Sequence, residues 1–247
     1  MYYFVSDIHL GSGTPQEARA TEQRFVKWLR RVGEDAEAIF LCGDIFDFWF
    51  EYQHVVPKGF VRTLAQIASL TDRGVRVVFM AGNHDMWLGN YLSAECGVEI
   101  YTRPKIFTLS GKRVHVAHGD NLNVQRDLKL KIMNNTFRSS TVRKLFSTLV
   151  HPDLALRFGL WWSDKSREKH IRGEGHNTID GLYVRSLVEY AEQQQLSEPC
   201  DLYIYGHLHQ TLRHSCDGFE VLFINDWSED PHYITLNEEG EAKIEKA

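Results

Sequence analysis

The chain has 247 residues, 43% of them apolar, which suits one large α/β domain, or a core domain carrying an insertion, better than two independent domains. No run of 18 apolar residues occurs, Met1 runs straight into the apolar "YYFVS" without a charged leader, and the four cysteines lack CxxC spacing. These features exclude a membrane span and argue against a signal peptide and a disulfide framework, so a cytoplasmic protein with reduced thiols is expected. Net charge is −5, unevenly spread: residues 126–185 carry 12 Lys and Arg against 6 Asp and Glu. A basic segment in an otherwise acidic chain attracts anions such as phosphate, nucleic acid or an anionic membrane surface.

Short apolar runs alternate with helical patterns along the first 120 residues. "YYFVS" precedes a helix from about Ala20 to Val32, "AIFLC" precedes one from about Gly59 to Leu70, and "VRVVFMA" follows. This is the rhythm of βαβ units whose strands are buried on both faces. "KIFTL" and "KRVHVAH" form a hairpin about Ser110 and Gly111. The pattern then breaks: a mostly helical stretch begins at Asn123, with Pro152 its only proline, and reads as an insertion over 123–176 within a single 1–247 domain. A helix from about Thr178 to Gln194 returns to the core. "DLYIYGH", "TLRHS", "FEVLFIN" and "HYITL" are strand-like, and "NEEGEAKIEKA" reads as a last hairpin with a solvated tail.

Five of the apolar runs stop at metal-ligating residues: "FVSDIHLG", "IFLCGDIFD", "VVFMAGNHD", "VHVAHGD" and "YIYGHLHQ". Ligands of open α/β sheets bind beyond the carboxyl ends of the strands, so these tips should meet in one crevice. Asp7 and His9, like His207 and His209, are two apart, which in extended chain puts each pair on one face, able to chelate. The set is Asp7, His9, Asp44, Asn83, His118, His207 and His209. It is too large for one ion and sufficient for two if a carboxylate bridges them. Mixed nitrogen and oxygen donors without thiolate favour Mn, Fe or Zn over Ca. Asp120 and Asp226 are candidates to hold the imidazoles in the right tautomer. His84, next to Asn83, should point into the crevice as a donor to a phosphoryl oxygen or a leaving group. Asp85 reads as a cap for the following turn.

In these blocks, "DIH", "GDIFD", "GNHD", "HGD" and "GHLH", the chain resembles the calcineurin-like metallophosphoesterases. The resemblance implies a four-layer α/β/β/α sandwich of two mixed sheets, here with a helical lid insertion. It also implies that Asp7, His9, Asp44 and His209 hold one metal and Asp44, Asn83, His118 and His207 the other, with Asp44 as bridge. Asp47 would then hold the second nitrogen of His84, the two acting as a catalytic pair.

Within the insertion, "TVRKLFSTLVHPDLALRFGLWWSDKSREKHIR" mixes apolar and cationic residues, which suits a substrate with a greasy part and an anionic part. Helical hairpins carry an apolar stripe in any case, so Leu145, Leu149 and Trp162 read equally well as positions that dock the insertion on the core. The blocks "FVSDIHL" and "GDIFDFWFEY", the helical insertion after "HGD", and "INDW" resemble the branch of the family that cleaves the pyrophosphate of UDP-2,3-diacylglucosamine in lipid A biosynthesis. This implies an amphiphilic nucleotide-sugar lipid substrate, Mn²⁺ as the usual ion, and peripheral contact with the inner face of the cell membrane. It also makes Arg126, Lys165, Arg167 and Lys169 candidates for diphosphate or sugar contacts. The best-known members carry Arg where this chain has His84. The alternative substrates are another nucleotide or phosphoester; a nucleic acid is not expected, because the cations are interleaved with Leu and Trp rather than forming a continuous basic groove.

Overall fold

The computed structural model describes residues 1–122, 136, 139–171 and 181–247, and within these all side chains except those at 140, 164, 166–171 and 182. In chain order the first half holds β1 (Tyr2–Val5), α1 (Pro15–Val32), β2 (Ala38–Leu41), α2 (Val61–Asp72), β3 (Arg76–Met80), α3 (Tyr91–Cys96), β4 (Glu99–Tyr101), β5 (Lys105–Leu109) and β6 (Lys112–Ala117). The second half holds α4 (Ser140–Leu149), α5 (Pro152–Ile171), α6 (Leu182–Ser197), β7 (Leu202–Tyr205), β8 (Leu212–Ser215), β9 (Glu220–Phe223), β10 (His232–Leu236) and β11 (Ala242–Lys246).

The strands form two mixed sheets, ordered β11-β10-β1-β2-β3-β4 and β5-β6-β7-β9-β8. β1 to β4 run parallel in the first, and β6, β7 and β9 run parallel in the second. Alternate side chains divide between two cores, which is why the strands read as continuous apolar runs. Phe4, Phe40, Val78 and Met80 point inward against Val114, Val116, Ile204 and Leu222 of the second sheet. Tyr3, Val5, Ile39, Leu41 and Phe79 point outward against Phe25, Trp28 and Leu29 of α1 and Ile67 and Leu70 of α2. On the opposite outer face Tyr203, Tyr205, Val221 and Phe223 pack against Val184, Leu187, Val188 and Ala191 of α6. The layers are therefore helix, sheet, sheet, helix.

Several boundaries differ from the sequence reading. α1 starts at Pro15, five residues before the expected position, because Thr14 and Glu17 form a reciprocal cap: Glu17 N–H donates to Thr14 Oγ1 (3.3 Å) and Thr14 N–H to Glu17 Oε2 (2.8 Å). The signal, T-P-Q-E, precedes the apolar periodicity. α3 and β4 are too short to show a period and were not expected. The C-terminal segment forms the expected hairpin, β11 pairing with β10 from Ala242 to Lys246, but the pairing runs on to Ala247, whose N–H donates to the Pro231 carbonyl where a solvated tail was expected. The hairpin at Ser110 and Gly111 is as expected, both residues having positive φ (46° and 73°), which suits a tight two-residue turn.

α4 and α5 dock on the tips of the first sheet. Phe146 packs against Phe50 and Trp87, with ring centroids 5.4 and 5.2 Å apart. Arg143 donates to the Leu88 carbonyl (2.9 Å), and the Tyr52 hydroxyl donates to that of Val150 (2.9 Å). On α5 the inward face is Ala155, Gly159 and Ser163 at intervals of four: Ala155 and Ser163 are buried, and the Phe48 ring fills the place where Gly159 would carry a Cβ. Leu145, Leu149 and Trp162 do not dock the hairpin. They are 59%, 73% and 48% exposed, and Leu154, Phe158 and Trp161 are exposed with them. No described helix is long and apolar enough to cross a membrane.

His115 of β6 lies away from the strand tips, buried against Tyr190, Tyr203 and Tyr205, and burial lowers its pKa from 6.5 to about 4. The unfolded chain takes up a proton below pH 6.5 and the folded chain does so only near 4, so stability falls as pH drops through that window. His115→Leu should therefore reduce the loss of unfolding free energy between pH 7 and 5 by about 2 kcal/mol, measured by urea unfolding. An equal loss in both proteins would contradict this.

Candidate metal centre

The parallel strands bring their carboxyl ends to one side of the sandwich, and backbone hydrogen bonds continue past the strands to lock the tips together. Cys42 N–H donates to Val5 O (2.7 Å), Asp7 N–H to Gly43 O (3.1 Å), His9 N–H to Asp44 O (3.0 Å) and Gly206 N–H to His118 O (2.9 Å). The tips also hold one another through side chains. The Asp7 carboxylate accepts from His207 N–H (2.9 Å) and the Asp44 carboxylate from His84 N–H (2.8 Å). Two glycines permit this closeness: a Cβ at Gly82 would strike Asp44, and one at Gly206 would stand 2.6 Å from Asp7 Oδ2.

Asp7, His9, Asp44, His207 and His209 all have left-handed backbone, with φ between 49° and 69°. Among the described residues only Phe60 and Ser110 share this conformation without being glycine. Each such residue costs about 1 kcal/mol or more, and its concentration at one place marks the site. The pairs Asp7/His9 and His207/His209 are thus presented by turns and not by extended chain. His207 and His209 also diverge instead of chelating together. Asp7, His9 and His209 form one group with donor atoms within 4.8 Å of one another, and Asp44, His118 and His207 form another. Asn83 Oδ1 lies 3.2 Å from His118 Nε2 on the second group, and His84 joins His9 and Asp44 in a third cluster between them.

The donor atoms suit divalent cations. Asp7 Oδ1 is buried without a hydrogen-bond partner and faces His209 Nε2 at 3.3 Å and His9 Nε2 at 3.8 Å, while those two nitrogens stand 3.3 Å apart. Lone pairs aimed at one another at these distances are what a cation reconciles. The Nδ1–H of His118 donates to the Cys42 carbonyl (3.0 Å), which leaves Nε2 to face Asp44 Oδ2 (3.2 Å). His209 Nδ1 has Asp226 at 3.8 Å.

The charges follow the same logic. Burial alone would raise the Asp44 carboxyl, but His118 and His84 outweigh it and hold its pKa well below the usual range; Asp7 is likewise lowered, chiefly by His209 and His118 acting against burial. Burial would lower His118, yet Asp44 lifts it to about 10, so without a cation this pair keeps a proton. Burial, helped by neighbouring imidazoles, lowers His9 to about 3 and His207 to about 4, which leaves both neutral as ligation requires.

Asp85 is not a cap for the turn that follows it. It is fully buried and reaches back, accepting from Gly82 N–H (2.8 Å) and Ile45 N–H (2.8 Å), with Phe46 N–H at 3.4 Å and Asp44 N–H at 3.3 Å. One carboxylate thus fastens the β3 tip to the β2 tip. Burial and the nearby Asp44 charge raise its pKa to about 7. The expected partner of His84 is also present in a particular form: the Asp47 carbonyl lies 2.8 Å from His84 Nδ1, while the Asp47 carboxylate lies 3.6 Å from His9 Nδ1. Ser163 of α5 completes this corner with contacts to both Asp47 and His84, and no local motif announced it. Lys165 is exposed on α5, the side chains of Arg167 and Lys169 lie outside those described, and Arg126 lies outside the described residues.

Residues 2–211 match the calcineurin-like phosphoesterase family, and the chain belongs to that family of metal-dependent hydrolases. It is 36% identical over 235 residues to the UDP-2,3-diacylglucosamine hydrolase of Porphyromonas gingivalis, covering 91% of this chain and 89% of that one. It is 26% identical over 240 residues to the protein of that name in Histophilus somni, covering 96% and 97%.

Asp85→Ala should leave at least two buried N–H groups without an acceptor and let the two tips separate. The expected result is about 2 kcal/mol or more of lost stability in urea unfolding, together with reduced bound metal. Wild-type values for both would contradict the account of Asp85.

Proposed function

We propose that the protein hydrolyses the pyrophosphate of UDP-2,3-diacylglucosamine to UMP and 2,3-diacylglucosamine 1-phosphate. Two divalent ions serve the reaction, with Mn²⁺ the preferred species. Asp7, His9, Asp44 and His209 would hold one and Asp44, Asn83, His118 and His207 the other. Bound there, such ions supply a nucleophile at neutral pH and offset charge on the phosphoryl oxygens. His84 has Nδ1 committed to the Asp47 carbonyl, so Nε2 is the nitrogen that meets a phosphoryl oxygen or the leaving group.

The observation that carries the substrate reading, beside the named relatives, is the two-faced helix α5. Its inner face reaches the site through Ser163, and its outer face carries Leu154, Phe158, Trp161 and Trp162 in the open at helical spacing. Residues 123–176 act as a lid, within a single 1–247 domain, that offers this apolar row to acyl chains. Arg126, Lys165, Arg167 and Lys169 contact the diphosphate or the sugar. The apolar row and the cations together favour work at the inner face of the cell membrane, where the lipid resides.

The Mn²⁺-loaded protein should release UMP from UDP-2,3-diacylglucosamine; turnover of nucleotide diesters without turnover of the lipid would overturn the substrate reading. His207→Ala should lose about one equivalent of metal, and an unchanged content would break the two-ion reading. Phe158→Ser with Trp161→Ser should raise KM for the lipid by about 10-fold or more, because each removes a large apolar contact, without changing turnover of a small diester.

A further inference from the structure

We propose that Ser163 is a positioning residue through which the helical insertion sets the geometry of the reaction centre. Its hydroxyl donates to Asp47 Oδ1 at 2.6 Å and stands 3.0 Å from His84 Nδ1, across 116 and 79 residues of chain respectively. The side chain is 1% exposed, on the one face of α5 that turns toward the protein.

The direction of each hydrogen bond follows from the partners. His84 Nδ1 is 2.8 Å from the Asp47 carbonyl, which can only accept, so Nδ1 carries the proton. The Ser163 hydroxyl gives its own proton to the Asp47 carboxylate and offers a lone pair to the same Nδ1–H. The His84 ring is thereby gripped from two sides, its Nε2 directed into the cleft, 3.9 Å from Asp44 Oδ2. Oδ1 of Asp47, the atom that Ser163 holds, is also the atom 3.6 Å from His9 Nδ1. That imidazole nitrogen is buried and makes no hydrogen bond among the described residues, so Asp47 Oδ1 faces it without bonding to it. The hydroxyl therefore orients His84 directly and fixes the carboxylate oxygen that faces His9.

The contact changes what the insertion does. Apart from any role of the apolar row, a docked α5 supplies a group that the strand tips lack, and an α5 lifted from the sheet tips leaves His84 and Asp47 without it. The fit is specific to position 163. Ala155 and Gly159, its neighbours on the same face, offer no polar side-chain atom, and a helix shifted by one turn would put Gly159, which lies against the Phe48 ring, where the hydroxyl is needed. The inference rests on the reading of His84 as a phosphate partner and not on the identity of the lipid.

The test uses the full-length Mn²⁺-loaded protein and bis(p-nitrophenyl) phosphate, a small diester with no acyl chain. Ser163→Ala should lower kcat by about 10- to 100-fold, the range for partners that orient catalytic and ligating groups, with KM within about twofold and bound metal and melting temperature near wild type. In a His84→Ala background the same change should cost less than about threefold, since its main recipient is gone. Ser163→Cys, which keeps the shape but donates weakly, should fall between wild type and Ser163→Ala. The proposal is overturned if Ser163→Ala turns over like wild type, if it loses the same factor with and without His84, or if Ser163→Cys equals wild type. If Ser163→Ala fails to fold, the Ser163→Cys result decides alone. A protein that shows the coupled loss but releases no UMP from the lipid would keep this assignment and lose only the substrate reading. UMP release with an uncoupled loss would do the reverse.

Discussion

Two carboxylates, Asp7 and Asp44, are taken out of water where the two sheets meet, and their surroundings exist to hold that charge. Burial by itself would neutralise them. They stay ionised because imidazoles and backbone N–H groups converge on them from both sheets, and divalent ions, once bound, would add to the balance. The sheet order, the glycines at the tips and the left-handed residues all serve this convergence. An antiparallel sandwich with the same core would scatter the tips to opposite ends.

Much of the site was readable because each block stands at the end of an apolar run, and a run of buried strand is the clearest pattern a parallel sheet writes. All seven expected ligand positions lie at the tips and within reach of one another. The means of presentation was not readable. Spacing of two suggests extended chain, whereas Asp7, His9, His207 and His209 have left-handed backbone, a conformation that Asp and His tolerate better than most residues and that the strand-tip hydrogen bonds select here. Asp85 shows the same limit: its partners are backbone N–H groups on its own strand tip and on the neighbouring one, which carry no residue-type signature.

The insertion was legible as helical and amphipathic, but its polarity of docking was not. Leu145, Leu149 and Trp162, which read equally well as docking residues, are exposed, because the face that turns inward is the one made of Ala155, Gly159 and Ser163, with the Phe48 ring against Gly159. Small residues at intervals of four carry little weight in a hydrophobic pattern, so the inner face reads as the weaker one. Ser163 is invisible for the same reason.

The five left-handed residues also set apart two properties that are usually thought to rise together. Glycine at any of these positions would relax the backbone, and at Asp7 or Asp44 it would also remove a buried charge. For the chain without metal, these five residues are therefore less favourable than glycine at their own positions. The fold carries this burden in a buried region whose polar atoms are not all satisfied, and ion binding would offset it. Selection for thermal stability of the empty protein and selection for activity would thus pull these five positions in opposite directions.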